Sequence, residues 1–146
     1  MKPATDRTRV LLNALLDLRL ELSLLNHRIA TEVGLNNVDL DCLEVISREG
    51  PSSPARLTRR LGIHPATMTG ILTRLETSGW IQRSAHPEDR RASLLKIPAK
   101  RDARLRARFA SATQAAVDVI ASRSDADVAV VVELLQELTA SVRRAG

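Results

Sequence analysis

Apolar residues near the start of the chain recur at alternating intervals of four and three, at Leu11, Leu15, Leu18, Leu22, Leu25 and Ile29. The spacing predicts one long helix from about Thr5 to Glu32 with a heptad-like seam. A second stripe, Leu12, Leu16, Leu20 and Leu24, runs beside the first. Two stripes exceed what a surface helix needs for packing on its own domain, so the excess reads as a subunit interface. The C-terminal residues mirror this arrangement. A helix from about Ala99 to Ser122 is followed by a break at Arg123-Ser124 and a final helix capped by Asp125, with Val128, Val131, Leu135, Leu138 and Val142 on one face. The valines that open the last helix have poor helix propensity and compete as strand, but their spacing favours helix.

Between these ends the elements shorten and breakers appear. Asn37 is placed to cap a helix over about Val38 to Arg48, ended by Gly50-Pro51. Ser53-Pro54 supplies an N-cap and a proline at the first position of a short helix ended by Gly62. Pro65 opens a third helix to about Ser78, with Gly79 just beyond its end. The last two, joined by the turn Gly62-Ile63-His64, form a helix-turn-helix pattern. The second of them sets Met68, Ile71, Leu72 and Leu75 on an apolar face, and Ala66, Thr67, Thr69, Gly70, Thr73 and Arg74 on a small, polar one. After Gly79, Trp80 to Arg83 and Ser93 to Ile97 read as two strands of a hairpin around the polar loop Ala85 to Arg91. The predicted fold is mainly α with a small β-hairpin wing. A winged helix-turn-helix spans residues 36–98, and helices from 1–35 and 99–146 form a dimerisation lobe. Contacts of the homodimer are expected at Leu11, Leu15, Leu18, Val128, Val131, Leu135, Leu138 and Val142.

Charge sharpens this division. The chain of 146 residues carries 22 Lys and Arg against 17 Asp and Glu, a net +5. Residues 51–106 hold twelve basic and four acidic side chains, a local +8, while both flanks are mildly acidic. A solvated face normally mixes signs, so this block favours an anionic partner. Ten of its twelve basic residues are Arg, suited to bidentate contact with phosphate or guanine. Trp80 and Phe109 are the sole aromatic residues. That scarcity excludes recognition by stacking splayed bases on rings, but not groove readout of a duplex.

Other chemistry has little support. The single Cys42 forms no internal disulfide, and its position between Leu40, Leu43 and Ile46 reads as core filler. His27, His64 and His86 lack ligand spacing, so no metal and no cofactor is expected. No catalytic constellation or phosphate loop appears, and no enzyme activity is expected. The early apolar run is broken by Asp17, Arg19 and Glu21, so neither a signal peptide nor a membrane span is expected, and the cytoplasm is the expected location.

Residues Leu57 to Ile97 resemble the multiple-antibiotic-resistance regulator (MarR) family of winged-helix transcription factors. The resemblance rests on Arg83-x-x-x-Pro87-x-Asp89-Arg90-Arg91 after Leu75-Glu76-x-x-Gly79. Departures are Thr58 where a small Ala is usual, His64 where a Ser-type cap is usual, and Ile97-Pro98-Ala99 after the wing. The resemblance implies a dimeric regulator of double-stranded DNA at a pseudo-palindromic operator, a repressor relieved by a small apolar or aromatic ligand. It also implies that Asp89 pairs with Arg91 to brace the wing, while Arg90 or Arg91 enters the minor groove. Groove contacts are expected from Ala66, Thr67, Thr69, Gly70, Thr73 and Arg74, and phosphate contacts from Ser53, Arg56, Arg59, Arg60 and His64. Two alternatives stand beside this: a winged-helix protein-interaction module, and a regulator switched by oxidation of Cys42.

Overall fold

The computed structural model describes residues 6–89 and 91–145. Its elements are α1 (Asp6–Val33), α2 (Asn37–Glu49), α3 (Pro54–Leu61), α4 (Pro65–Thr77), β1 (Gln82–Ala85), β2 (Ser93–Lys96), α5 (Ala99–Ala121) and α6 (Asp125–Ala145). The mainly α fold with a β-hairpin wing is the one the sequence predicts.

The chain divides into two compact units, residues 1–108 and 109–146. In the first, α2 is the central helix, packed on α1, α3, α4 and β2. Leu40 and Leu43 of α2, Leu57 of α3, Met68, Leu72 and Leu75 of α4, and Leu95 of β2 are fully buried and form its core. The helix-turn-helix follows from local chemistry. Ser53 Oγ accepts the Arg56 amide hydrogen at 3.2 Å, and Pro54 occupies the first turn of α3, where its missing N–H costs nothing. Gly62, at φ +64, ends the helix in the left-handed conformation that suits glycine.

The end of α4 aims the wing. Gly79 takes φ +73, and the Trp80 amide returns to the Leu75 carbonyl at 2.8 Å. This turn drives Trp80 and Ile81 into the core, so β1 starts at Gln82 rather than at Trp80 as the period suggested. β1 and β2 pair antiparallel, with Arg83 opposite Leu95 and Ala85 opposite Ser93. Buried Ser52 adds a one-residue bridge to Leu95, so the segment before α3 is tied into the same sheet.

Two caps lie one residue from their expected positions. Asn36, not Asn37, caps α2, accepting the Asp39 amide hydrogen at 2.8 Å. Ser124, not Asp125, caps α6, accepting from the Asp127 amide at 3.2 Å and donating to its carboxylate at 2.7 Å. In both places two adjacent residues have capping chemistry, and backbone geometry selects the first. The second unit comprises the end of α5 and α6. No residue of α6 is buried. Among the described helices none is long and apolar enough to cross a membrane.

Candidate nucleic-acid interface

The polar face of α4 is built from small side chains whose hydroxyls are already oriented. Thr69 Oγ1 donates to the Pro65 carbonyl at 3.0 Å, Thr73 to Thr69 at 2.9 Å and Thr77 to Thr73 at 2.8 Å. With each hydrogen committed to the helix, these threonines present oxygen lone pairs and methyl groups outward. Lone pairs suit the amino groups of cytosine or adenine, and methyls suit thymine. Thr67 is exposed beside them, as are Ala66 and Gly70. His64 caps the helix, its Nδ1 accepting the Ala66 amide hydrogen at 3.3 Å, so a neutral ring carries its proton on Nε2.

Gly70 is a test of close approach. A Cβ added there meets nothing within 4 Å, so packing does not require glycine. Gly70→Ala should therefore raise stability by up to about 1 kcal/mol from helix propensity alone. If a duplex backbone or base edge approaches this point, the same substitution should weaken duplex binding. Thermal melts and gel-shift titrations check the two signs separately; tighter melting with undiminished binding would remove Gly70 from the contact surface.

Arg74 is placed differently from the expectation of a free groove residue. Its guanidinium makes a two-pronged ion pair with Asp39 on α2, Nε to Oδ2 at 3.0 Å and Nη2 to Oδ1. The Asp39 side chain is only 3% exposed, that of Arg74 51%. Hydrogen bonding to Asp39 raises the pKa of Arg74 from an already high value, which keeps it charged at any working pH. Arg74 thus clamps α4 to α2. Its exposed outer N–H groups are what remain for a ligand.

On α3, Arg56 and Arg60 share one carboxylate. Arg56 Nη2 and Arg60 Nε reach opposite oxygens of Glu49, each at 2.9 Å. Arg59 on the same helix is exposed and makes no ion pair among the described residues. Glu49 carried no signal in a residue-by-residue reading of the basic block, since it lies just outside it.

The wing tip is ordered by its own backbone. His86 N donates to the Ala92 carbonyl at 3.2 Å and Ala92 N to the Asp89 carbonyl at 3.0 Å. Asp89 Oδ1 accepts the Arg91 amide hydrogen at 2.9 Å. Asp89 therefore braces the tip through the Arg91 backbone, where a side-chain pair was expected, and the exposed Arg91 side chain is left to point outward. Arg90 lies outside the described residues. At the base of the wing Arg83 joins Glu76 of α4 at 2.7 Å and Ser93 of β2 at 3.2 Å. Arg101 of α5 donates to the Ser78 carbonyl at 3.2 Å, with its guanidinium 4.8 Å from the centre of the Trp80 ring. These two arginines hold the wing and α4 in one arrangement.

Cys42 is fully buried, and burial first, then the negative charges of Asp39 and Asp41, push its thiol up to about 12. The thiolate is the reactive species, so this environment works against a redox switch.

A protein-family model, the MarR family, matches residues 35–93, the stretch from α2 to the start of β2. Residues 35–93 are thus similar to the MarR-family winged helix. An uncharacterized HTH-type transcriptional regulator of Bacillus subtilis, YcgE, is 30% identical over 70 residues, a match covering 47% of this chain and 46% of that protein. The match thus spans about half the length of this curated relative. A MarR family protein from Bacillus stearothermophilus superposes with a TM-score of 0.74 at 18% identity, covering 96% of this chain and 99% of that one. FabT from Streptococcus pneumoniae, solved in complex with DNA, gives 0.71 at 21% identity over 96% and 98% of the two chains. Transcriptional regulator Tm0710 from Thermotoga maritima gives 0.68 at 24% identity over 93% and 96%. The likeness of fold therefore extends over both the winged helix and the helices that flank it.

Proposed function

We propose that this protein is a homodimeric transcriptional regulator in the cytoplasm that binds double-stranded DNA at a pseudo-palindromic operator. It acts as a repressor, relieved when a small apolar or aromatic ligand favours a dimer with its two recognition helices wrongly spaced. Residues 36–98 bind DNA, and 1–35 with 99–146 form the dimerisation lobe.

The observation that carries this reading is the exposed Arg91 on a backbone-braced wing tip, on the same unit as a recognition helix faced with small residues. A narrow minor groove concentrates negative potential and draws in a guanidinium, while small side chains let α4 approach the major-groove floor. That the similar FabT was solved with DNA supports the same reading.

Gel-shift titration against the duplex upstream of the protein's own gene tests it. Saturable, sequence-preferring binding is expected, with log affinity falling linearly against log salt. Arg91→Ala should weaken binding by about 30-fold, roughly 2 kcal/mol, with no change in melting temperature, because its exposed side chain makes no hydrogen bond or ion pair among the described residues. Absence of sequence-preferring binding at moderate salt would defeat the proposal. Salt-insensitive capture of an acidic protein by the basic face would favour the interaction-module alternative instead.

A further inference from the structure

Two of the three arginines on α3 are held by an internal carboxylate in the manner of a bridging phosphate. Glu49 Oε2 accepts from Arg56 Nη2 and Oε1 from Arg60 Nε, each at 2.9 Å, so each oxygen has its own guanidinium. All three side chains remain partly in solvent, at 29% for Glu49 and 44% and 40% for its partners. Arg56 has a second tie, Nη1 to Ser52 Oγ at 3.4 Å, and Ser52 is bridged to the wing sheet.

Glu49 is the last residue of α2. A negative charge there opposes the helix dipole, so α2 itself gains nothing from the carboxylate. Its favourable contacts include the two arginines. Solvent-accessible pairs of this kind are weak, and a phosphate can displace or share them. Whether the arginines leave Glu49 or keep it while meeting phosphate, the carboxylate opposes the incoming anion. In the first case two ion pairs are lost, and in the second like charges approach.

We propose that Glu49 is an internal competitor for the phosphate-binding arginines of α3, setting duplex affinity below what this winged helix would otherwise reach. The inference rests on the DNA-binding reading above. Such a brake would act on every sequence alike, because phosphate contacts carry no base information. Glu49→Gln keeps the shape and removes the charge.

The test is a titration of the full chain with its own upstream duplex and with a scrambled duplex of equal length. Glu49→Gln should bind both about 3–10-fold more tightly than the native chain. Glu44→Gln is the control, since it makes the same charge change on the same helix, where the carboxylate pairs with Arg48 at 3.3 Å. Its gain should be smaller, and the Glu49→Gln gain should vanish in an Arg56→Ala/Arg60→Ala background. A gain no larger than that of the control, or one that persists without the two arginines, overturns the proposal. If the native chain binds its own duplex and Glu49→Gln does not bind more tightly, only this inference falls; if neither protein binds any duplex, the DNA-binding reading falls with it.

Discussion

Arg74→Ala should lower stability by about 2–3 kcal/mol, the largest loss expected from any single substitution on the polar face of α4. The reason is the partner left behind. Asp39 is 2% exposed, and its carboxylate has Arg74 on both oxygens. Breaking a buried pair commonly costs 3–5 kcal/mol, because one charge stays in the interior without compensation. The half-exposed position of Arg74 admits water to the vacated space, which discounts that figure. The N-terminal turn of α2 offsets a little more, since its dipole favours a carboxylate at Asp39. For a chain of this size the loss corresponds to a fall in melting temperature of roughly 5–10 °C.

The companion variants separate a clamp from a groove contact. Asp39→Asn removes the buried charge and leaves Arg74 free to turn to solvent, so it should destabilise less than Arg74→Ala. In the double variant the penalty of Arg74→Ala should largely disappear, a coupling that thermal melts of the four proteins measure directly. A melting temperature for Arg74→Ala within a degree of the native chain would show that the pair contributes nothing to the fold. Weakened DNA binding in this variant is therefore not by itself a sign of lost base contact.

Arg74 also shows where the chain was and was not legible. Local chemistry is legible where it is dense: Ser53-Pro54, Gly62, Pro65 and Gly79 mark the helix ends, and the i, i+3, i+4, i+7 spacing of Met68, Ile71, Leu72 and Leu75 marks the buried face of α4. The sequence is ambiguous where two neighbours share a chemistry, as at Asn36-Asn37 and Ser124-Asp125, or where packing overrides period, as when Trp80 and Ile81 leave the strand for the core. Side-chain pairs between distant residues leave no local trace. Arg74 with Asp39, Arg56 and Arg60 with Glu49, and Arg101 with Trp80 each depend on the tertiary fold. A positive block read from sequence therefore overstates how many of its arginines are uncommitted.

Leu18→Glu combined with Leu135→Glu should convert a dimer into a monomer and weaken operator binding at least about 100-fold, because the second half-site contact ceases to be intramolecular. The expectation begins with exposure. On α1, Leu11, Leu12, Leu16, Leu18, Leu20, Leu22 and Leu24 are each at least 42% exposed, and only Ile29 and Ala30 are buried. On α6, Val131 is 53% exposed, Leu135 41% and Val142 72%, while Val128 and Leu138 are half-buried, as is Leu15 of α1. An apolar groove of about 580 Å³ runs along α6 between Val132, Leu135, Thr139 and Arg143. Scattered exposed leucines are ordinary, but whole stripes on two helices are not. Burying the exposed part of a leucine against a second copy contributes on the order of 1 kcal/mol, and the stripes supply many such residues. A glutamate in the stripe reverses that gain and adds the cost of desolvating a charge. Asn13→Glu, which adds one negative charge at an exposed polar site on α1, should leave the assembly intact. Sedimentation should report twice the 16.0 kDa chain for the native protein and the control, and the single chain for the double glutamate variant. Circular dichroism distinguishes a folded monomer from an unfolded one. A native protein that sediments as a monomer, or a double variant that remains dimeric at micromolar concentration, would remove these stripes from the interface.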